Sequence, residues 1–478
     1  QNMKIRYTLL LILFVINISN TFAWWNDILV YNGKPVAQHS LAAKSNGTLY
    51  LAVPDSSAGM YSIQLLKSTN DGNTWLPVSN TTGPMATAIT KTKMVRTGSD
   101  SVYCLYSTTA GVYLLNVETG VIGAFTSSAV ADFDAAGSPA GNVIYLFVNE
   151  PLNFTIKRYT TLDGGLTWGG STATVTSSGQ TPKVYMSGTR LILNYYGPVN
   201  GDPSTSKIRA ATYDESVPGT IGATAFIDIV TNTAVKKKQF KSVYNFNIVW
   251  FFFTEGDTSQ VIKCRISTDN GNNYGAEQIV AGNNGFSNYN FDACHYEFFG
   301  AWGCYLTYYN SNATLPPTPF PMMFTNASLS TPSAFSTPVA YSDFNVVDTP
   351  SYHLPAITAF SGTTNDVGVA WIENSGNGNW VYFDRMSAST GIHDITDDGF
   401  ISGIIFNSVE LNIRFVEQLK NKTVIQLSDV TGKIIFQTIT DLQENFIAVK
   451  TPPLTAGVYL LHVSDGKHVV TKKLLLSK

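Results

Sequence analysis

Thr161-Leu162-Asp163-Gly164-Gly165-Leu166-Thr167-Trp168 is the stretch from which the fold can be read. It returns in altered form as Ser68-Thr69-Asn70-Asp71-Gly72-Asn73-Thr74-Trp75 and as Ser267-Thr268-Asp269-Asn270-Gly271-Asn272-Asn273-Tyr274. Each copy follows an alternating apolar run and precedes another β-prone stretch, so each is a repeating β-turn. The side chain of Asp163, Asn70 or Asp269 can accept backbone N–H groups of its own turn. Gly165, Gly72 and Gly271 supply a backbone angle that side-chained residues resist. Trp168, Trp75 or Tyr274 closes the unit by packing beneath it. The copy at Asp163 is complete. The copy at Asn70 carries its Asp71 one place late, and the copy at Asp269 ends in Asn-Tyr. A repeat of long period points to a stacked or radial architecture.

Strand patterns supply the repeats that the turn does not mark. A β-rich apolar run occurs at Leu49 to Val53, Val102 to Tyr106, Val143 to Val148, Leu191 to Tyr196, Ile248 to Phe253, Cys304 to Tyr309 and Val367 to Ile372. Each reads as the second strand of a four-stranded unit. Each is followed by an alternating third strand, as at Ser62 to Lys67 and Thr155 to Thr160. Short strands with turn signals at regular spacing argue for an all-β fold. A period of about fifty residues fits propeller blades. The expectation is a seven-bladed β-propeller over roughly residues 24–398. Six or eight blades stay open, because the Pro316-Pro317-Thr318-Pro319 repeat is irregular.

The turn resembles the Asp-box (BNR) repeat of sialidase-like propellers, whose pattern is S/T-x-D-x-G-x-T-W. In that family these turns lie on the face opposite the active site. The resemblance implies a fold and leaves the chemistry open.

The two ends read differently. Lys4 and Arg6 precede an apolar core at Leu9 to Ile16, and Thr21-Phe22-Ala23 offers a cleavage site. Residues 1–23 therefore read as a signal peptide, since the apolar run is too short to span a bilayer. Residues 399–478 read as a linker and a small β-sandwich of Ig-like type. The residues Asp429-Val430-Thr431-Gly432-Lys433, then Leu454-Thr455-Ala456-Gly457-Val458-Tyr459, then Lys472-Lys473-Leu474-Leu475 resemble a type IX secretion C-terminal sorting domain. That resemblance implies a Bacteroidota-type exporter, with the outer-membrane secretion machinery as partner and a cell-surface or extracellular location.

Charged residues make up only 13% of the chain and the net charge is −3, so neither nucleic acid nor an anionic membrane is indicated as a partner. Lys236-Lys237-Lys238 reads as a solvated loop rather than an anion site. An exported setting permits a disulfide between Cys294 and Cys304, which flank a predicted hairpin. Cys104 and Cys264 read as buried apolar residues.

Sialidase activity would need an arginine trio to clamp the substrate carboxylate, an acid, and a Tyr activated by a Glu. The family's F/Y-R-I-P motif is missing. Arg158, Arg209, Arg265 and Arg385 fall on third strands, and Arg190 falls at a turn on the Asp-box face. Only Arg96, at the end of a first strand, is near a plausible position. His39, His295, His353 and His393 lack metal-ligand spacing, and no cofactor motif occurs. Candidate ligand-binding residues are Asp55, Glu150, Glu255, Asp257 and Glu373, just after second strands on the face away from the Asp boxes, together with the aromatic pair Tyr195 and Tyr196. Aromatic clusters at Tyr195-Tyr196, Tyr289 to Tyr296 and Phe298 to Trp302 could stack on sugar rings or anchor a protein. The expected function is ligand binding, to glycan or protein, without catalysis. An exo-acting glycosidase and a structural component of a surface assembly are the alternatives.

Overall fold

The computed structural model describes residues 23–24, 27–79, 81–125, 130–150, 154–199, 201–256, 261–281, 290–298, 301–309, 322–342, 354–361, 365–374, 379–387, 401–406, 410–415, 421–429, 433–440, 446–455, 457–465 and 469–476. Residues 1–22, His353, His393 and the Pro316–Pro319 stretch lie outside them. Two compact units divide the chain near Ser387.

The larger unit is a succession of antiparallel sheets, each made of strands consecutive in sequence. The first sheet is Ser40–Ala43, Leu49–Ser57, Met60–Ser68 and Leu76–Pro77. Five more sheets follow the same plan, beginning at Ile89, Asp132, Gln180, Phe240 and Phe291. The seventh holds Ala356–Ser361, Asn365–Asn374 and Asn379–Ser387, and its outer edge is taken by Ile28–Tyr31 from the start of the chain. Pairing Ile28 with Phe383 and Leu29 with Tyr382 ties the first repeat to the last. The seven first strands touch one another in cyclic order, the seventh meeting the first. Consecutive four-stranded sheets around a closed ring are the arrangement of a β-propeller.

The apolar second strands follow from this packing. Leu49, Leu51 and Val53 face the seventh sheet, whereas Tyr50 and Ala52 face the second. Val249, Phe251 and Phe253 pack toward the fourth sheet, and Trp250 and Phe252 toward the sixth. A strand buried on both faces reads as an unbroken apolar run rather than an alternation. This period-two division places one core between each described pair of neighbouring sheets.

The Asp boxes do more than close their own hairpins. Asp163 accepts from Thr167 N–H at 2.9 Å, and Gly165 N–H donates to Thr161 Oγ1 at 2.8 Å. Asp269 accepts from Asn273 N–H at 2.9 Å in the same way. In the first copy Asn70, and not Asp71, takes this role, accepting from Thr74 N–H at 3.0 Å. Asp71 adopts φ 57° and pairs with Arg385 of the seventh sheet at 3.4 Å. The glycines press on the preceding sheet: a Cβ on Gly72 would lie 2.0 Å from the Phe383 ring. Trp75 meets Phe383 edge-on at 5.1 Å and Trp168 meets Phe125 at 5.3 Å. Each of these two boxes therefore fastens its sheet to the one before it.

The smaller unit contains a three-stranded sheet of Ile401–Phe406, Glu410–Phe415 and Phe446–Lys450. A four-stranded sheet runs in the order Ile434–Thr440, Thr423–Asp429, Gly457–Ser464 and Val469–Leu476. Leu411 and Ile413 from one sheet share a core with Ile425, Leu427 and Leu461 from the other. Asp429 accepts from Lys433 N–H at 3.1 Å and closes the D-x-x-G-K turn. Tyr459 donates to Thr455 O at 2.6 Å and locks the L-x-x-G-x-Y segment.

Candidate functional site

Topology gives the ring two unlike ends. The turn between first and second strands meets the Asp-box turn, as shown by the Asn142–Asp163 bridge and by Asn270 N–H donating to Asn247 O at 2.9 Å. The opposite end collects the turns between second and third strands and the connections entering each first strand.

First strands expose a free hydrogen-bonding edge to the ring's axis, and those groups must be satisfied by side chains. Ser40 Oγ accepts from Met94 N–H at 2.8 Å. Asp134 accepts from Val184 N–H at 2.8 Å, and Asp292 from Ile357 N–H at 3.1 Å. Side chains of one sheet thus fasten the first strand of the next.

These same strands line an axial cavity of about 130 Å3, near the end opposite the Asp boxes. Its charged walls are Lys91, Lys93, Asp134, Lys183, Lys241 and Asp292. Lys93 pairs with Asp134 at 3.2 Å, Lys241 with Asp292 at 2.5 Å, and Lys91 with Asp132 at 2.8 Å. Burial alone would raise the Asp134 carboxyl, but Lys93, Lys91, Lys183 and the Val184 N–H outweigh it and hold it below the usual carboxylate range. Burial likewise opposes the charge on Lys91, yet Asp132 and Asp134 keep its pKa above the ordinary value. Lys183 is pushed down to about 8, first by burial and then by the Lys91 charge, against the pull of Asp132 and Asp134. Burial also drives His39 to about 4, so it stays neutral while its Nε2 bonds Ala370 O at 2.9 Å.

The residues expected to bind ligand lie elsewhere. None of Asp55, Glu150, Tyr195, Tyr196 and Glu255 lines this cavity. Asp55 is buried and accepts from Lys34 N–H at 2.6 Å, which pins the segment entering the first sheet. Glu150 pairs with Lys157 at 2.6 Å, and Glu255 pairs with Lys263, each within one hairpin. Tyr195 and Tyr196 are only 2% and 4% exposed, and face the third and fifth sheets. They are core and cannot serve as an open stacking platform. Tyr296 is buried too and stacks on Tyr305 at 4.1 Å. Asp257 and Tyr289 lie outside the described residues, as do the side chains of Glu373, Phe298 and Trp302.

Three further expectations are corrected. Cys294 and Cys304 are free and buried. Cys294 stands opposite Tyr305 and Cys304 opposite His295, so the two thiols project from opposite faces of their sheet. Lys237 is fully buried, not solvated, and its ammonium caps the carbonyls of Asn232 and Val235. Arg96 ends its strand on the Asp-box side and lies 4.0 Å from Asp100.

None of the other propeller arginines lines the cavity. Arg158 donates to Ile221 O at 3.3 Å and covers Tyr213, Arg190 pairs with Asp214 at 3.1 Å, and Arg209 pairs with Asp228 at 2.5 Å. Arg265 donates to Gly275 O at 2.7 Å. Tyrosine–glutamate pairs do occur, at Tyr145–Glu215 (2.5 Å) and Tyr50–Glu118 (3.3 Å), but at the Asp-box ends of their strands. Burial first, and then the glutamate, raises both tyrosines, the opposite of activation. Among the described residues no cluster of three or more His, Cys, Asp or Glu could hold a metal, and no helix is long and apolar enough to cross a membrane.

Residues 407–477 match the family of secretion system C-terminal sorting domains. The chain carries a type IX sorting domain, and such a domain implies export to the cell surface or beyond. Among solved structures, an α-L-arabinofuranosidase of Fusarium graminearum bound to an iminosugar inhibitor is similar at 12% identity and TM-score 0.45, over 76% of this chain and 98% of that one. A protein of unknown function from Dyadobacter fermentans is similar at 13% identity and TM-score 0.47, over 77% and 99%. A mutant of the NanB sialidase of Streptococcus pneumoniae is similar at 12% identity and TM-score 0.43, over 76% and 70%. No curated protein matches the chain.

Proposed function

We propose that this chain is an exported seven-bladed β-propeller that binds a glycan or protein ligand, without catalysis, on the face away from its Asp boxes. Residues 1–23 serve as its leader, 24–398 form the propeller, and 399–478 form the linker and an Ig-like sorting domain. The secretion machinery reads that last domain, and the propeller is the cargo that works outside. One observation supports the non-catalytic reading: none of the six propeller arginines lines the cavity, whose cations among the described residues are lysines. A lysine is a point charge and lacks the planar fork that clamps a carboxylate in two places.

A glycan array probed with the full chain tests binding, and a fluorogenic sialoside tests turnover. Retention of a defined set of glycans with no fluorescence released is the expected result. Sialoside hydrolysis would establish the exo-glycosidase alternative instead. An array and a surface-protein pull-down that both come up empty would leave only a structural role.

A further inference from the structure

The axial cavity carries one cation more than its acids neutralise. Lys91, Lys93 and Lys241 each have a carboxylate partner, Asp132, Asp134 and Asp292 respectively. Lys183 has none at ion-pair distance among the described residues; its side-chain neighbour is the Lys91 amine. Counting Asp132, which pairs with Lys91 from outside the lining, four lysines against three aspartates leave a net +1, with His39 neutral. An uncompensated ammonium in a confined wall is costly unless an anion joins it. The cavity supplies the room: about 130 Å3 is space for roughly four waters, or for one small oxyanion. The neighbouring groups also fit. The three aspartates are already occupied by ion pairs or backbone N–H donors, so they repel an incoming anion less than free carboxylates would.

We infer that this cavity is an anion site in which Lys183 receives a small oxyanion, a carboxylate or sulfate group. Lys91 lies beside it and adds a second positive charge; the ion pairs of Asp132 and Asp134 hold the Lys91 strand, and the Val184 N–H bond to Asp134 holds the Lys183 strand. The direction of titration agrees. Lys183 is charged at neutral pH and loses its proton at about 8, so affinity should fall above that value. The groups that share its field are Lys91, Lys93, Lys241, Asp132, Asp134, Asp292 and His39; of these Lys91 is held above its ordinary value, and His39 is already neutral.

The inference rests on the ligand-binding reading only for the face concerned. Sodium sulfate is the probe, compared with sodium chloride at matched ionic strength, on the full chain. Expected are a saturable rise in melting temperature with sulfate and a several-fold protection of Lys183 from reductive methylation, read by mass spectrometry, with Lys450 unprotected. Lys183→Met should abolish the rise, Lys183→Arg should keep it, and raising the pH from 7 to 9 should shrink it. Equal melting in both salts, an unprotected Lys183, or a full sulfate effect in Lys183→Met would overturn the site. If Lys183→Met does not fold, protection in the unaltered chain decides. A blank glycan array beside intact protection would remove the glycan reading and leave the anion site standing; glycan retention without protection would do the reverse.

Discussion

The two ends of the propeller are built by different means. At the Asp-box end, Asp163 and Thr167 are four residues apart and close their own turn. At the other end, Asp134 reaches Val184 across fifty residues and Asp292 reaches Ile357 across sixty-five. The first end is local chemistry repeated; the second exists only once the ring has closed. The contrast explains why one end shows in a sequence as a motif and the other does not.

Acid should break that contrast most strongly. Burial keeps His39 and His295, both on the first-strand side, neutral down to about 4 rather than 6.5. As pH falls below 6.5 the unfolded imidazoles take up protons that the folded ones refuse, so stability drops from 6.5 to about 4. Each histidine contributes on the order of 3 kcal/mol over that window. Asp163 and Asp269 are held below the ordinary carboxylate value by bonds from Thr167 and Asn273, so the boxes lose stability only at lower pH. Urea midpoints taken every half pH unit should fall first in the upper window; a flat profile down to pH 4 would show that the histidines are not buried neutral.

Glycine substitution sharpens the staple. Gly72 and Gly59 both have positive φ, 84° and 77°, but only Gly72 faces another sheet. Gly72→Ala adds backbone strain and a collision with Phe383, and should cost about 3 kcal/mol. Gly59→Ala meets nothing within 4 Å and should cost about 1 kcal/mol. Equal losses in denaturant titrations would mean the box does not bear on its neighbour.

The axial bonds come next. Asp134→Ala removes the partner of Lys93 and the acceptor of Val184 N–H, and should cost about 2 kcal/mol. Adding Lys93→Met should restore part of it, because the stranded cation goes too. The smallest effect belongs to Asp163→Ala. Its bonds are local and partly exposed, so about 1 kcal/mol is expected from the same titration.

Much of the fold was legible. The second strands could be found because both faces are buried, and the third strands because they follow at fixed spacing. The closing strand Ile28–Tyr31 was not legible, since its partner Asn379–Ser387 lies at the far end of the propeller. The Asn70 box was legible by position: Asn70 holds the motif's third place, and the hydrogen bonds choose it over Asp71. The site was barely legible. Its lysines and aspartates are scattered one or two at a time over five first strands, with nothing in their local context to mark them. Tyr195 and Tyr196 looked like a platform because an aromatic pair at a strand end looks the same whether it faces water or two neighbouring sheets.

The most direct test of a binding, non-catalytic axial face is saturation-transfer NMR on the full chain with a mixture of acidic oligosaccharides, followed for a day. The proposed function and anion site predict saturation passing to a subset of the sugars, its loss on adding sulfate, and no new monosaccharide resonances. Release of free sugar, or transfer that sulfate leaves untouched, would contradict it.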